Sequence, residues 1–304
     1  MRPVPRHLYP FEGRRFDLDG LSMHYLDEGE GEPVVMVHGN PTWSFYYREL
    51  VAALSKTHRC IVPDHIGMGM SDKPGDDRYE YTLERRVDDL ERLLDHLALD
   101  APVNLVVHDW GGMIGMAWAA RHPTRVARLV IMNTAAFPLP AGRGFHLPLK
   151  ITRTPVGGLL VRRFNAFSAS SARLCVTRRP LTPEVRDAYT APYESWENRI
   201  ATLRFVQDIP LRPSDPSYRT VEATERELHR FIDTPAVIFW GEKDFIFDGP
   251  FLEEWRRHLP NAAVHRFSDC GHYVLEDASE EIIPEVRRFL SEARVGEDRA
   301  ADPA

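Results

Sequence analysis

Five short, mostly apolar runs constrain this chain more than anything else in it: Pro33–His38, Arg59–Pro63, Val103–Val107, Val126–Met132 and Pro235–Trp240. Each is too short for a buried helix and is apolar at successive positions. Such runs read as strands covered on both faces. Segments of helical period fall between them. Tyr81–Leu97 places Leu83, Val87, Leu90, Leu94 and Leu97 on one side, with Thr82 as a candidate N-cap. Trp110–Arg121 is rich in Gly and Ala and suits close packing on a sheet. Pro250–Leu259 and Glu280–Leu290 read as further helices and Ala263–Phe267 as a further strand. Leu21–Leu26, paired with a strand near Phe16, comes before all of these. Strand and helix alternate from 33 to 133 and again from 235 to 290, which predicts an α/β fold with a doubly wound, mostly parallel sheet.

The stretch 137–229 breaks the alternation. It is helical, basic in places, and carries Phe164, Phe167, Tyr189, Tyr193, Trp196 and Phe205. It reads as a helical cap inserted over the strand ends, where ligands of such sheets bind. The expected organisation is a core of 1–136 and 230–294, a cap of 137–229, and a disordered polar tail of 295–304.

Composition narrows the class. The 38 basic and 45 acidic residues of the 304 give a net charge of −7, which offers no basic face to a nucleic acid. Cys60, Cys175 and Cys270 are odd in number and match no ligand spacing, so they read as free thiols in a reducing cytoplasm. Met1–Phe11 has three prolines and no apolar core of a signal peptide. No apolar run reaches the roughly 18 residues of a membrane span. The glycines of Asp64–Pro74 lack the G-x-x-x-x-G-K-[ST] pattern of a phosphate loop and read as a structural turn. The reading calls for no cofactor and no metal.

His108-Asp109-Trp110-Gly111-Gly112 follows the Val103–Val107 strand and opens a helix. A strand, a sharp turn and a helix make a nucleophile elbow, which exposes one side chain in a strained position. Asp109 occupies the place usual for Ser, and no G-x-S-x-G occurs in the chain. Val107 stands where the elbow pattern prefers Gly. A carboxylate needs no deprotonation at neutral pH and can attack carbon to form an ester. An Asp at this place can also be a mere helix N-cap. What favours chemistry is the company it keeps.

His272, in Asp269-Cys-Gly-His272 after the last strand, is placed to act as the base. Asp244, in Gly241-Glu-Lys-Asp244, would orient it, with Glu242 as the weaker alternative. A second place for the acid, after Val126–Met132, holds Asn133 and argues for Asp244. The order nucleophile, acid, histidine suits the elbow. Asn40, in His38-Gly-Asn-Pro-Thr-Trp43, and Trp110 offer N–H donors to an anion beside Asp109. The backbone N–H groups near Asn40 and at Trp110 would form an oxyanion hole.

His38–Trp43 together with His108–Gly112 resembles the haloalkane dehalogenases of the α/β-hydrolase fold. In that family an Asp displaces halide, a His activates water, and Asn and Trp hold the halide. The resemblance puts those roles on Asp109, His272, Asn40 and Trp110. An acid after Trp240, with none after Met132, resembles the first and third subfamilies.

Pro63–Gly69, Asn133–Pro140, Arg163–Phe167 and Pro192–Ile200 through Gln207–Leu211 are similar to the β-lactone decarboxylases of bacterial olefin biosynthesis. That resemblance implies a cis-3,4-dialkyl-β-lactone split into a cis-alkene and CO2, with Asp109 attacking either the carbonyl or a ring carbon. It implies association with other olefin-pathway enzymes. It also implies an apolar slot for alkyl chains, which the aromatics of 137–229 are placed to line. The alternatives are a haloalkane dehalogenase, and an epoxide hydrolase using Tyr189 and Tyr193.

Overall fold

The computed structural model describes residues 2–292; the tail expected to be disordered over 295–304 lies outside them. Eight strands form one sheet. They are β1 (Arg14–Leu18), β2 (Leu21–Glu28), β3 (Glu32–Val37), β4 (His58–Pro63), β5 (Val103–Asp109), β6 (Val126–Thr134), β7 (Ala236–Gly241) and β8 (Ala263–Phe267). Their spatial order is β1-β2-β4-β3-β5-β6-β7-β8. β2 pairs antiparallel with β1 and β4, and every other pairing is parallel. From β3 the chain moves outward to β4 and then crosses back to β5 on the other side. The carboxyl ends of β3 and β5 therefore flank the point where the order reverses, the usual place for a ligand.

Both faces of the sheet are covered, which is why its central strands are apolar throughout. Val35, Val37, Leu105 and Val107 pack into one core, while Val34, Met36 and Val106 pack into the other. This is the two-residue alternation of a strand serving two layers. On the first face lie α2 (Leu83–His96), α3 (Trp110–Arg121) and α10 (Gly249–His258); on the second lie α1 (Arg48–Leu54), α11 (Val274–Asp277) and α12 (Ser279–Ser291). Thr82 caps α2, its hydroxyl accepting from Arg85 N at 3.4 Å.

One covering element is absent from the sequence reading. A 3₁₀ turn over Ser44–Tyr47 runs into α1 and supplies the crossover that a parallel β3–β4 pair requires. Its sequence, SFYYRELVAAL, is buried at Ser44 through Arg48 and again at Leu50, Val51 and Leu54. With so little polar face, it shows almost no helical alternation.

Between β6 and β7 the chain forms α4 (Leu147–Thr152), α5 (Pro155–Phe164), α6 (Ala166–Leu174), α7 (Pro183–Thr190), α8 (Ile200–Gln207) and α9 (Tyr218–Glu227). Leu147, Val156, Leu159, Phe164 and Leu174 on the first three of these are exposed. No Asp or Glu occurs from Trp110 to Pro183, and α4–α6 carry Lys150, Arg162, Arg163 and Arg173. No helix among the described residues is long and apolar enough to cross a membrane. The three cysteines are buried and unpaired.

Candidate active site

Asp109 ends β5 at φ 52 and ψ −127, a backbone setting that residues other than Gly avoid. Small neighbours make it tenable. A Cβ on Gly39 would fall 2.0 Å from Asp109 Oδ1, and one on Gly111 would fall 1.9 Å from the Val37 carbonyl oxygen. One on Gly112 would meet Thr134 Oγ1 at 1.9 Å. These three glycines let the ends of β3, β5 and β6 converge, and the Thr134 hydroxyl donates to the Asp109 carbonyl. Val107 fits in place of Gly because Gly115 faces it: a Cβ there would lie 2.9 Å from Val107 Cγ1.

The carboxylate of Asp109 is held from two sides. Oδ1 accepts the Asn40 backbone N–H at 2.6 Å, and Oδ2 lies 3.5 Å from His272 Nε2. His272 Nδ1 lies 2.7 Å from Asp244 Oδ2. Asp244 Oδ1 accepts the N–H groups of Ile246 and Phe247 at 2.7 and 3.1 Å. The Phe247 ring stacks on the imidazole with centroids 5.7 Å apart. His108 points away from the cleft and donates from Nε2 to the His272 carbonyl at 2.9 Å, steadying the loop that carries it. Glu242, the alternative acid, is exposed and pairs with Arg266 at 2.6 Å.

Burial would lower the pKa of His272, but the carboxylates of Asp244 and Asp109 on its two nitrogens outweigh that and push it to about 10. Burial would raise Asp109, yet the hydrogen bond and charge of His272 hold it below the ordinary value. Burial takes His108 down to about 3, so it is a neutral ring.

Asn40 and Trp110 both flank Asp109 on the wall of one cavity. One N–H of the Asn40 side-chain amide donates to the Thr202 carbonyl of α8 at 3.1 Å, leaving the other N–H for a ligand. The Trp110 ring packs edge-on against Phe205 at 5.2 Å. The backbone N–H of Asn40, expected in an oxyanion hole, is on the nucleophile instead. A buried carboxylate takes the nearest donor.

The α/β-hydrolase-fold family matches residues 32–279. The chain belongs to it. Within the family, the chain is 56% identical to the cis-3-alkyl-4-alkyloxetan-2-one decarboxylase of Shewanella oneidensis, over 94% of this chain and 90% of that one. It is 52% identical to the protein of the same name from Xanthomonas campestris pv. campestris, over 93% and 97%. A haloalkane dehalogenase of Mycolicibacterium paratuberculosis is 35% identical over 93% of each chain. Among solved structures, the haloalkane dehalogenase DbeA of Bradyrhizobium elkani superposes with a TM-score of 0.83 at 29% identity, over 92% of this chain and 98% of that one.

Two features of this site escaped the sequence. Asn133, at φ 30, is a clamp rather than a bystander. Its Oδ1 accepts the Gly241 N–H at 2.8 Å, and its Nδ2 donates to the Gly241 carbonyl at 3.1 Å and to Asp244 Oδ2 at 3.0 Å. Arg86 of α2 lies under Trp110 and Phe205, 3.8 Å from the Phe205 centroid, and is ion-paired at 2.9 Å with Asp208.

Two cavities adjoin the site. One touches Asp109, Trp110 and Asn40. The other touches His272 and Asn40. Of the six aromatics expected to line a slot, only Phe167 does, and it faces both cavities. Phe164 and Trp196 are exposed, while Tyr189, Tyr193 and Phe205 are core. The Tyr189 hydroxyl donates to Glu276, and that of Tyr193 to the Thr42 carbonyl at 3.5 Å. Neither reaches Asp109, which removes the support for epoxide opening.

Proposed function

We propose that this protein is a carbon–carbon lyase that splits cis-3-alkyl-4-alkyl-β-lactones (oxetan-2-ones) into a cis-alkene and CO2, in long-chain olefin biosynthesis. The observation that carries the reading is the 56% identity with a decarboxylase of that name, against 35% with a dehalogenase. The likeness runs through 137–229, which acts as the cap over a core of 1–136 and 230–294.

Asp109 is the nucleophile, His272 its charged partner and Asp244 the acid behind it. Oδ2, the oxygen not taken by the Asn40 N–H, attacks the saturated, alkyl-bearing ring carbon bonded to the ring oxygen. That carbon–oxygen bond breaks, and its electron pair leaves as a substrate carboxylate. Asn40 Nδ2 and the Trp110 indole N–H hold the new carboxylate. The strain of the four-membered ring drives the opening. In the ester the carboxylate sits one carbon from the ester-bearing carbon. Loss of CO2 then sends its bonding pair into the new double bond and expels Asp109 as a carboxylate. His272, as an imidazolium, stabilises that leaving group. Displacement inverts one carbon and the fragmentation is anti, so a cis-lactone gives a cis-alkene. No water and no net proton are consumed.

The dehalogenase alternative has the same carboxylate and anion donors in its favour. There the ester would be hydrolysed, with the oxyanion on Oδ1 received by the Asn40 backbone N–H. The two readings part on products. Purified protein given a cis-β-lactone and, separately, a bromoalkane should release alkene from the first and little halide from the second. Halide release without alkene overturns the proposal. Asp109→Ala should abolish either activity. The proposal extends to a cytoplasmic setting and to association with the enzyme that forms the lactone, which co-purification would test.

A further inference from the structure

We infer that the two cavities are separate seats for the two alkyl chains of one substrate molecule, so that the protein selects the length of each chain independently. The inference rests on the lactone reading. It deepens that reading by assigning the walls that measure each chain.

The cavities adjoin at the reacting centre. Asn40 borders both; Asp109 and Trp110 border the first, and His272 borders the second. Leu149 of α4, Phe167 of α6 and Ile246 after β7 also face both, and so form the partition. Beyond it the walls diverge. The first arm runs between Phe137, Leu139, Val206, Ile209 and Phe251. The second runs between Ile151, Leu160, Val161, Leu174 and Phe245. Each has the apolar lining of an ordinary ligand pocket, which a site for one small substrate would not need twice. A chain attached to a single reacting carbon fills one arm and leaves the other empty. A ring with alkyl groups on adjacent carbons needs two arms that fork from one point.

Both arms reach the surface. The second arm reaches the surface at Ile151, Leu160 and Leu174, which are 47%, 42% and 62% exposed. A chain there can extend past the protein. The first arm opens at Gly144, which is exposed, and Arg143 and His146 also stand on its wall.

Leu139→Trp narrows the first arm and Ile151→Trp the second. Val206→Phe and Val161→Phe are the corresponding second choices if either fails to melt cooperatively by circular dichroism. Each variant is assayed for alkene release from two mixed cis-lactones, one with a long chain on one ring carbon and methyl on the other, and its reverse. Filling an arm should lower kcat/KM at least about tenfold for one mixed lactone, and less than about threefold for the other. The variant of the second arm should show the opposite preference. Both variants penalising the same lactone, or both lactones alike, overturns the two-seat assignment while the lactone reading stands. Wild-type protein releasing no alkene from either lactone removes the functional reading, and this assignment with it.

Discussion

Asp109 and Asp244 lie on opposite nitrogens of His272, so the resting imidazole is charged across neutrality. Its folded pKa of about 10 lies above the ordinary 6.5. Its contribution to stability is therefore complete below about 6.5 and is lost as the pH rises through about 10. Asp109 is shifted the other way, so its contribution is present above the ordinary carboxylate range and lost as pH falls through its lowered value. Lactone cleavage needs Asp109 ionised and His272 charged. The kcat/KM for alkene release should be level through neutrality and fall near pH 10; a profile that rises through pH 7 instead would mark His272 as a neutral base. Asp244→Asn removes the nearer carboxylate. It should bring the imidazole pKa down, read by NMR, and cost about 10²–10⁴ in kcat. These three residues were legible in the sequence because each follows a strand with a chemically distinctive side chain. Asn133 was not. It acts through a contact across β6 and β7, and an amide after a strand carries no such sign. Asn133→Ala leaves the Gly241 N–H unpaired and should lower stability by about 1–3 kcal/mol, read by urea denaturation.

At the scale of elements, α3 shows what was readable and why. Its bounds, Trp110–Arg121, match the reading because the elbow fixes one end and the run of small residues its packing. Gly111→Ala would drive a methyl into the Val37 carbonyl and lift α3 from β3. Soluble protein with under about 1% of wild-type turnover is the expected result, since small displacements of reacting groups cost about 10²-fold. Thr82→Ala offers the contrast. It removes the cap of α2 at a cost of about 1 kcal/mol and leaves turnover alone. The turn and helix over 44–54 stayed hidden because pattern reading needs a wet face to set against a dry one. The two cavities stayed hidden for a different reason. Their shape depends on where Leu149, Phe167 and Ile246 come to rest, and spacing along the chain does not encode that.

Across the whole molecule, the strand alternation carries the architecture, while the joints between its parts depend on contacts between side chains distant in the chain. Arg86 and Asp208 join α2 to the end of α8, and both are buried. Arg86→Met should lower stability by about 3–5 kcal/mol, because it strands a buried carboxylate. Adding Asp208→Leu should recover most of that loss, and a double variant as unstable as the single would show that the pairing is not what Arg86 contributes. The distribution of charge is a second property of the whole. The chain carries net −7, yet no carboxylate belongs to the 74 residues between Asp109 and Glu184. Lys150, Arg163 and Arg173 have no ion-pair partner among the described residues. Such a molecule is an electric dipole, and in a field it turns before it drifts. At neutral pH and low salt it should be retained on a cation-exchange column despite its net charge. Lys150→Glu, Arg163→Glu and Arg173→Glu together should let it pass through. An acidic protein built this way meets a negative surface with its basic side leading.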